Sequence, residues 1–134
     1  MKLPLALLLA LLTGGAQAYT AGELQQDCLA AEVMLGPQKS SAPYDALRGS
    51  RCISYLAGFV DGYAIADYLA SRVDLRLGGI CIPKEEDITP RMVRAIIAQF
   101  ERMPAKVSQG TAEITAAALA RHFPCNDSPL EKKQ

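Results

Sequence analysis

SRCISYLAGFVDGYAIADYLAS, residues 50–71, holds no proline and repeats its large apolar residues at helical spacing. Cys52, Leu56, Phe59, Tyr63 and Ala66 share one broad face, the pattern of a helix laid on a core. Gly58, Gly62 and Ala66 make a stripe of small residues within it. Each helical glycine costs about 1 kcal/mol relative to alanine. Two of them in one helix point to a compensating close approach, by another helix of the same chain or by a second subunit.

Working outward, the same periodicity recurs three more times. Upstream, Thr20 and Glu23 have capping-box spacing, in which hydroxyl and carboxylate satisfy free amides at a helix start. Leu24, Cys28, Ala31 and Leu35 follow at helical intervals, and Gly36-Pro37 ends that helix. Residues 37–49, rich in Pro, Ser and Gly, read as a loop. Downstream, residues 72–88 lack helical pattern and contain Gly78, Gly79 and Pro83. The acidic triplet Glu85-Glu86-Asp87 precedes a third helix, where negative charge suits the helix dipole. Thr89 is expected as its cap, with Pro90 in its first turn and Ile88 and Val93 as a hydrophobic staple. Met92, Ile96, Phe100 and Met103 form its buried stripe. Pro104 separates it from a fourth helix, whose apolar lines are Val107, Thr111, Ile114, Ala118 and Ala112, Ala116, Leu119, Phe123. Pro124 closes that helix immediately before Cys125.

The start of the chain reads differently. Met1-Lys2 is followed by an apolar run from Leu3 to Leu12, then Ala16-Gln17-Ala18. The run is too short for a bilayer, which needs about 20 residues. It has the organisation of a cleaved secretory signal peptide. The expected division is a leader over residues 1–18, a helical domain over 19–125 and a polar tail over 126–134. No second long apolar run follows, so membrane insertion after cleavage is not expected. Without Lys2 the chain has one fewer Lys+Arg than its 14 Asp+Glu. This near-neutrality lacks the basic footprint of a nucleic-acid binder.

Four cysteines, Cys28, Cys52, Cys81 and Cys125, lie in the exported part. An oxidising compartment makes two disulfides the expected state. Their wide spacing, with His122 the single histidine, does not suit a metal site. Four helices with short connections form a small all-α, up-and-down domain. That topology puts Cys28 and Cys52 near one end, and Cys81 and Cys125 at the other. The pairs Cys28–Cys52 and Cys81–Cys125 are therefore favoured on reach.

No catalytic constellation emerges. A Ser-His-Asp or Cys-His arrangement needs a histidine, and His122 stands in a last helical turn, where an imidazole suits the helix C-terminus. Oxidised cysteines are not nucleophiles. Asp61 and Asp67 point in different directions on one helix, and no glycine-rich phosphate loop is present. The reading is a binding protein without a cofactor.

Four features together resemble the Rap/Tai family of immunity proteins. They are the run Cys52-Ile53-Ser54-Tyr55-Leu56-Ala57-Gly58-Phe59-Val60-Asp61, the triplet Cys81-Ile82-Pro83 before a helix, the break at Pro104, and the ending Ala118-Leu119-Ala120-Arg121-His122-Phe123-Pro124-Cys125. Ser54 stands where the family usually has glycine, and Met103 and Ala105 flank Pro104 where histidine and glutamate are common. The resemblance implies a helical periplasmic protein, commonly a homodimer. Such proteins block a peptidoglycan amidase delivered by a type VI secretion system, usually with a protruding loop. The family's loop has no fixed motif. On its length and mixed charge, the 72–88 segment is the candidate, with Arg72, Asp74, Arg76, Lys84, Glu85, Glu86 and Asp87. Tyr44 and Arg48 in the 37–49 segment are the rival anchors, and Gly58, Gly62 and Ala66 are the dimer candidates. A periplasmic stress chaperone or structural helper is the alternative function.

Overall fold

A computed structural model describes residues 18–37, 42–103 and 109–125. The expected leader up to residue 17, the tail from residue 126, Pro104 and Val107 lie outside the described residues. Among the described residues there are four helices, α1 (Ala21–Leu35), α2 (Pro43–Ser71), α3 (Ile88–Arg102) and α4 (Thr111–His122), and no strand. The fold is all-α and held by two disulfides, as the periodicity implied.

The start of α1 follows from its local sequence. Thr20 Oγ1 accepts from Glu23 N at 3.2 Å, and Thr20 N donates to Glu23 Oε2 at 2.8 Å. These bonds, with Arg51 beyond them, hold the Glu23 carboxyl below its ordinary value because they favour its charged form.

α2 begins at Pro43, not near Ser50. Proline fits a first helical position, where its missing N–H has no partner to lose, and Asp45 supplies negative charge in the first turn. Gly49, which reads as a loop residue, is buried inside the helix. A Cβ there would lie 3.1 Å from Ala31 Cα and 3.3 Å from Met34 Cε. This is where α1 and α2 press together. One residue triplet further, Cys52 meets Cys28 with their Cα atoms 5.1 Å apart. The pairing of 49 with 31 and 52 with 28 makes α1 and α2 an antiparallel hairpin.

α3 and α4 form a second hairpin, since Arg91 near the start of α3 lies over the ring of Phe123 just past the end of α4. The second disulfide, Cys81–Cys125, closes a span of 44 residues. Backbone bonding supports it, with Cys81 N donating to Phe123 O at 2.8 Å. On chain entropy alone the two crosslinks contribute about 3–4 kcal/mol each. Leu24, Leu56, Val93, Ile96, Ala118 and Leu119 fill the core between the hairpins. Burial of such side chains contributes about 1.5–3 kcal/mol apiece.

A polar network ties three helices at one point. Tyr19 donates its hydroxyl to buried Asp27 at 2.7 Å. Arg51 of α2 reaches the same carboxylate oxygen at 3.1 Å and lies over the Tyr19 ring. Thr111 Oγ1, at the start of α4, donates to Tyr19 O at 2.5 Å. Burial, then the hydrogen bond to Asp27 and its negative charge, push the Tyr19 phenol well above its ordinary value.

Candidate partner-docking surface

α2 has 29 residues and is about 44 Å long at 1.5 Å per residue. α1 and α3 have 15 residues each, about half that length. α2 therefore outruns its neighbours. Its fully buried residues, Gly49, Cys52 and Leu56, all lie in its first half. Beyond them only one side remains covered: Phe59, Val60 and Tyr63 pack partly buried against the core. On the other side Ile65, Tyr68 and Leu69 are each about 60% exposed.

The small-residue stripe lies on this uncovered part. A Cβ added at Gly58 or Gly62 would meet nothing within 4 Å, and Ala66 is exposed. A close approach within the chain, one of the two explanations for these glycines, is thus ruled out among the described residues. Gly49 is the helical glycine that makes such an approach. Sequence periodicity missed it because the segment around it reads as a loop.

The connection from α2 to α3 begins with a defined helix stop. Leu75 N donates to Ala70 O at 3.0 Å and Asp74 N to Ser71 O at 3.3 Å. These are the two bonds of a Schellman motif, and Asp74 occupies its left-handed position at φ 59°. The chain then doubles back along α2. Leu77 N donates to Asp67 Oδ1 at 2.9 Å. Gly79 N and Ile80 N both donate to the Tyr63 hydroxyl, at 3.0 and 3.1 Å. Ile80 is buried and Cys81 is bonded to Cys125. Residues 72–81 are therefore a strap fastened at both ends.

The strap and the turn after it place every charged candidate at the surface. Arg72, Asp74 and Arg76 are exposed before the disulfide, and Lys84, Glu85, Glu86 and Asp87 after it. Cys81, pinned to α4, separates the two groups. Glu85 pairs with Arg91. Asp87 is the residue before α3, but its side chain makes no capping bond. α3 thus starts earlier than Thr89 suggested: a turn from Glu85 O to Ile88 N leads into the first helical bond, Asp87 O to Arg91 N. Thr89 falls in the first turn.

The charge pattern of this segment says nothing of the apolar residues between the charges. Val73, Leu75 and Leu77 are 65%, 63% and 48% exposed. They add a second exposed apolar set to Ile65, Tyr68 and Leu69 of α2. The alternation Arg72-Val73-Asp74-Leu75-Arg76-Leu77 was visible, but nothing local to it indicated that both sets face solvent. Exposed apolar patches of this kind mark interaction sites.

The rival anchors Tyr44 and Arg48 belong to the first turns of α2, not to a loop, and are exposed beside Leu47. Tyr44 stands about 38 Å and Arg48 about 32 Å along the helix from Leu69, so the two candidate surfaces are separate.

Among the described residues no cysteine is free, and no group of His, Cys, Asp and Glu could hold a metal. No described helix is long and apolar enough to cross a membrane. Comparison with curated proteins and with solved structures returned no match. A family model described as Rap1a immunity proteins matches residues 20–125. That span runs from the cap of α1 to the last disulfide cysteine, and the chain belongs to the Rap1a immunity protein family.

Proposed function

We propose that this protein is a periplasmic immunity protein that binds and blocks a peptidoglycan amidase toxin delivered by a type VI secretion system, protecting its producer and siblings. Membership of an immunity family supports a toxin as the partner. Two disulfides suit an oxidising compartment, and the N-terminal apolar run suits export to it. The observation that carries the reading is the strap. Pinned by Tyr63, Asp67 and Cys125, it loses little conformational freedom on docking while offering Val73, Leu75 and Leu77 to an apolar cleft. The flanking charges, Arg72, Asp74 and Arg76 with Lys84 to Asp87, would set partner choice and association rate. The protein acts by occlusion and not as an enzyme. The uncovered stripe of Gly58, Gly62 and Ala66, beside Ile65 and Leu69, would accept the same face of a second copy in a homodimer.

A peptidoglycan amidase effector, if one is encoded beside this gene, would supply the test. Wild type should inhibit it, Leu75→Ser/Leu77→Ser should lose inhibition at least tenfold, and Tyr44→Ser/Arg48→Ser should keep it. Inhibition unchanged by the strap variant would remove the strap from the contact. Apolar exposure on this scale also suits a periplasmic chaperone. No amidase binding, together with suppressed aggregation of unfolded clients, would favour that function instead.

A further inference from the structure

A second surface lies beside the Cys81 end of the strap, between α3 and the end of α4. Arg91, Arg94, Ala95, Ala98, His122 and Phe123 line a cleft of about 290 Å³. Arg91 and Arg94 come from α3 and His122 from α4, and no carboxylate lines it. Ala95 is buried and, with Ala98 and Phe123, supplies apolar lining. Arg91 is held in place over the Phe123 ring, 5.4 Å from its centroid, and pairs with Glu85, which does not line the cleft. Arg94 is exposed and has neither ion pair nor hydrogen bond among the described residues. The wall carrying Phe123 is fixed by the bond from Cys81 N and by the Cys81–Cys125 disulfide.

Two bland roles account for part of this set. Glu85 neutralises Arg91, and basic groups in the last turn of α4 balance its dipole. Arg121 and His122 both stand in that turn. Neither role accounts for Arg94, which lies mid-helix in α3 and lines both this cleft and the neighbouring one that holds Glu32. A guanidinium recognises a carboxylate through paired N–H donors. The apolar lining suits the methylenes of a glutamate better than a bare ion. The remainder of the chain is near neutral, which does not suit a polyanion such as nucleic acid.

We infer that this cleft docks an acidic side chain of a protein partner, with Arg94 and His122 as the contacting groups and Arg91 as a positioned neighbour. The inference rests on the proposed function only for which protein supplies the carboxylate. The test therefore omits the toxin: acetyl-tetraglutamate amide is titrated into the isotope-labelled, oxidised protein at low salt. Saturable amide shifts are expected at Arg94, Ala95, Ala98, His122 and Phe123. Affinity should fall at least tenfold in Arg94→Glu and by a smaller factor in His122→Gln, both retaining helicity. The same charge reversal at Arg48, which is on α2 and does not line the cleft, should leave it within twofold. Equal loss from Arg48→Glu, or shifts elsewhere, would overturn the site. Tighter binding of inorganic phosphate at these residues would overturn the side-chain assignment, and shifts that instead rise with protein concentration alone would make a second copy the occupant. Failure here leaves amidase inhibition by the strap untouched, and failure of inhibition leaves the cleft untouched.

Discussion

The hydroxyl of Tyr19 lies 2.7 Å from Oδ2 of Asp27, a carboxylate on a residue only 2% exposed. Its bond and Arg51 are the partners that the described residues offer this buried charge. An unpaired buried charge is costly, so Tyr19 matters more than its position before the first helix suggests. It is also the first residue expected after export, so a cut even one residue later would delete it. Tyr19→Phe should lower stability by about 1–3 kcal/mol, read as a shift of the urea midpoint at neutral pH. The phenol's folded value is raised, so its contribution is complete below about pH 10 and is lost as pH rises beyond that. Wild type should weaken above pH 10, and Tyr19→Phe should lose this part of the alkaline slope. An identical slope in both would detach Tyr19 from the linkage.

Glu23 predicts the opposite end of the pH scale. Its carboxyl is held low, first by the Thr20 backbone and then by the Thr20 hydroxyl. A depressed folded value means stability present above the unfolded value and lost as pH falls through the folded one. Glu23→Gln should therefore show a shallower loss as pH falls below the ordinary carboxylate value of about 4.3. Denaturant midpoints across that range would show it, and matching curves for wild type and variant would contradict it.

The three helical glycines of α2 should separate. Gly49→Ala places a methyl against the α1 backbone, and overpacking of this kind costs about 1–3 kcal/mol. Gly58→Ala and Gly62→Ala meet open space and should each stabilise an isolated chain by up to about 1 kcal/mol. Thermal melts rank them. If the stripe is the dimer contact, Gly62→Leu should also reduce the mass seen by light scattering to that of one chain. A dimer that persists in the folded variant would place the contact elsewhere.

One substitution should loosen the strap and another should tighten it. Tyr63→Phe removes the acceptor used by both Gly79 N and Ile80 N. These amides should exchange faster with solvent by at least tenfold, equivalent to about 1.4 kcal/mol. Protection that survives would mean the disulfide alone holds the strap. Asp74→Gly should stabilise by about 1 kcal/mol, because glycine adopts the left-handed position freely and the change removes a negative charge from a helix C-terminus. A loss of stability would contradict this reading of the turn.

Four helices, the capping box at Thr20 and both disulfide pairings were legible in the sequence, for one physical reason. Periodicity and caps are set by residues within four positions of each other, and four helix directions leave little choice of cysteine partner. The tertiary structure decided matters that depend on distant residues. Gly49 is a helix contact and not a loop residue because Ala31 lies against it. Asp27 tolerates burial because Tyr19 and Arg51 converge on it. The 72–81 strap folds back because Tyr63 and Asp67 accept its amides, which leaves Leu75 and Leu77 in solvent. Their apolar character is written in the sequence. Their exposure depends on where α2 outruns the bundle, and α1 and α3 determine that by being short.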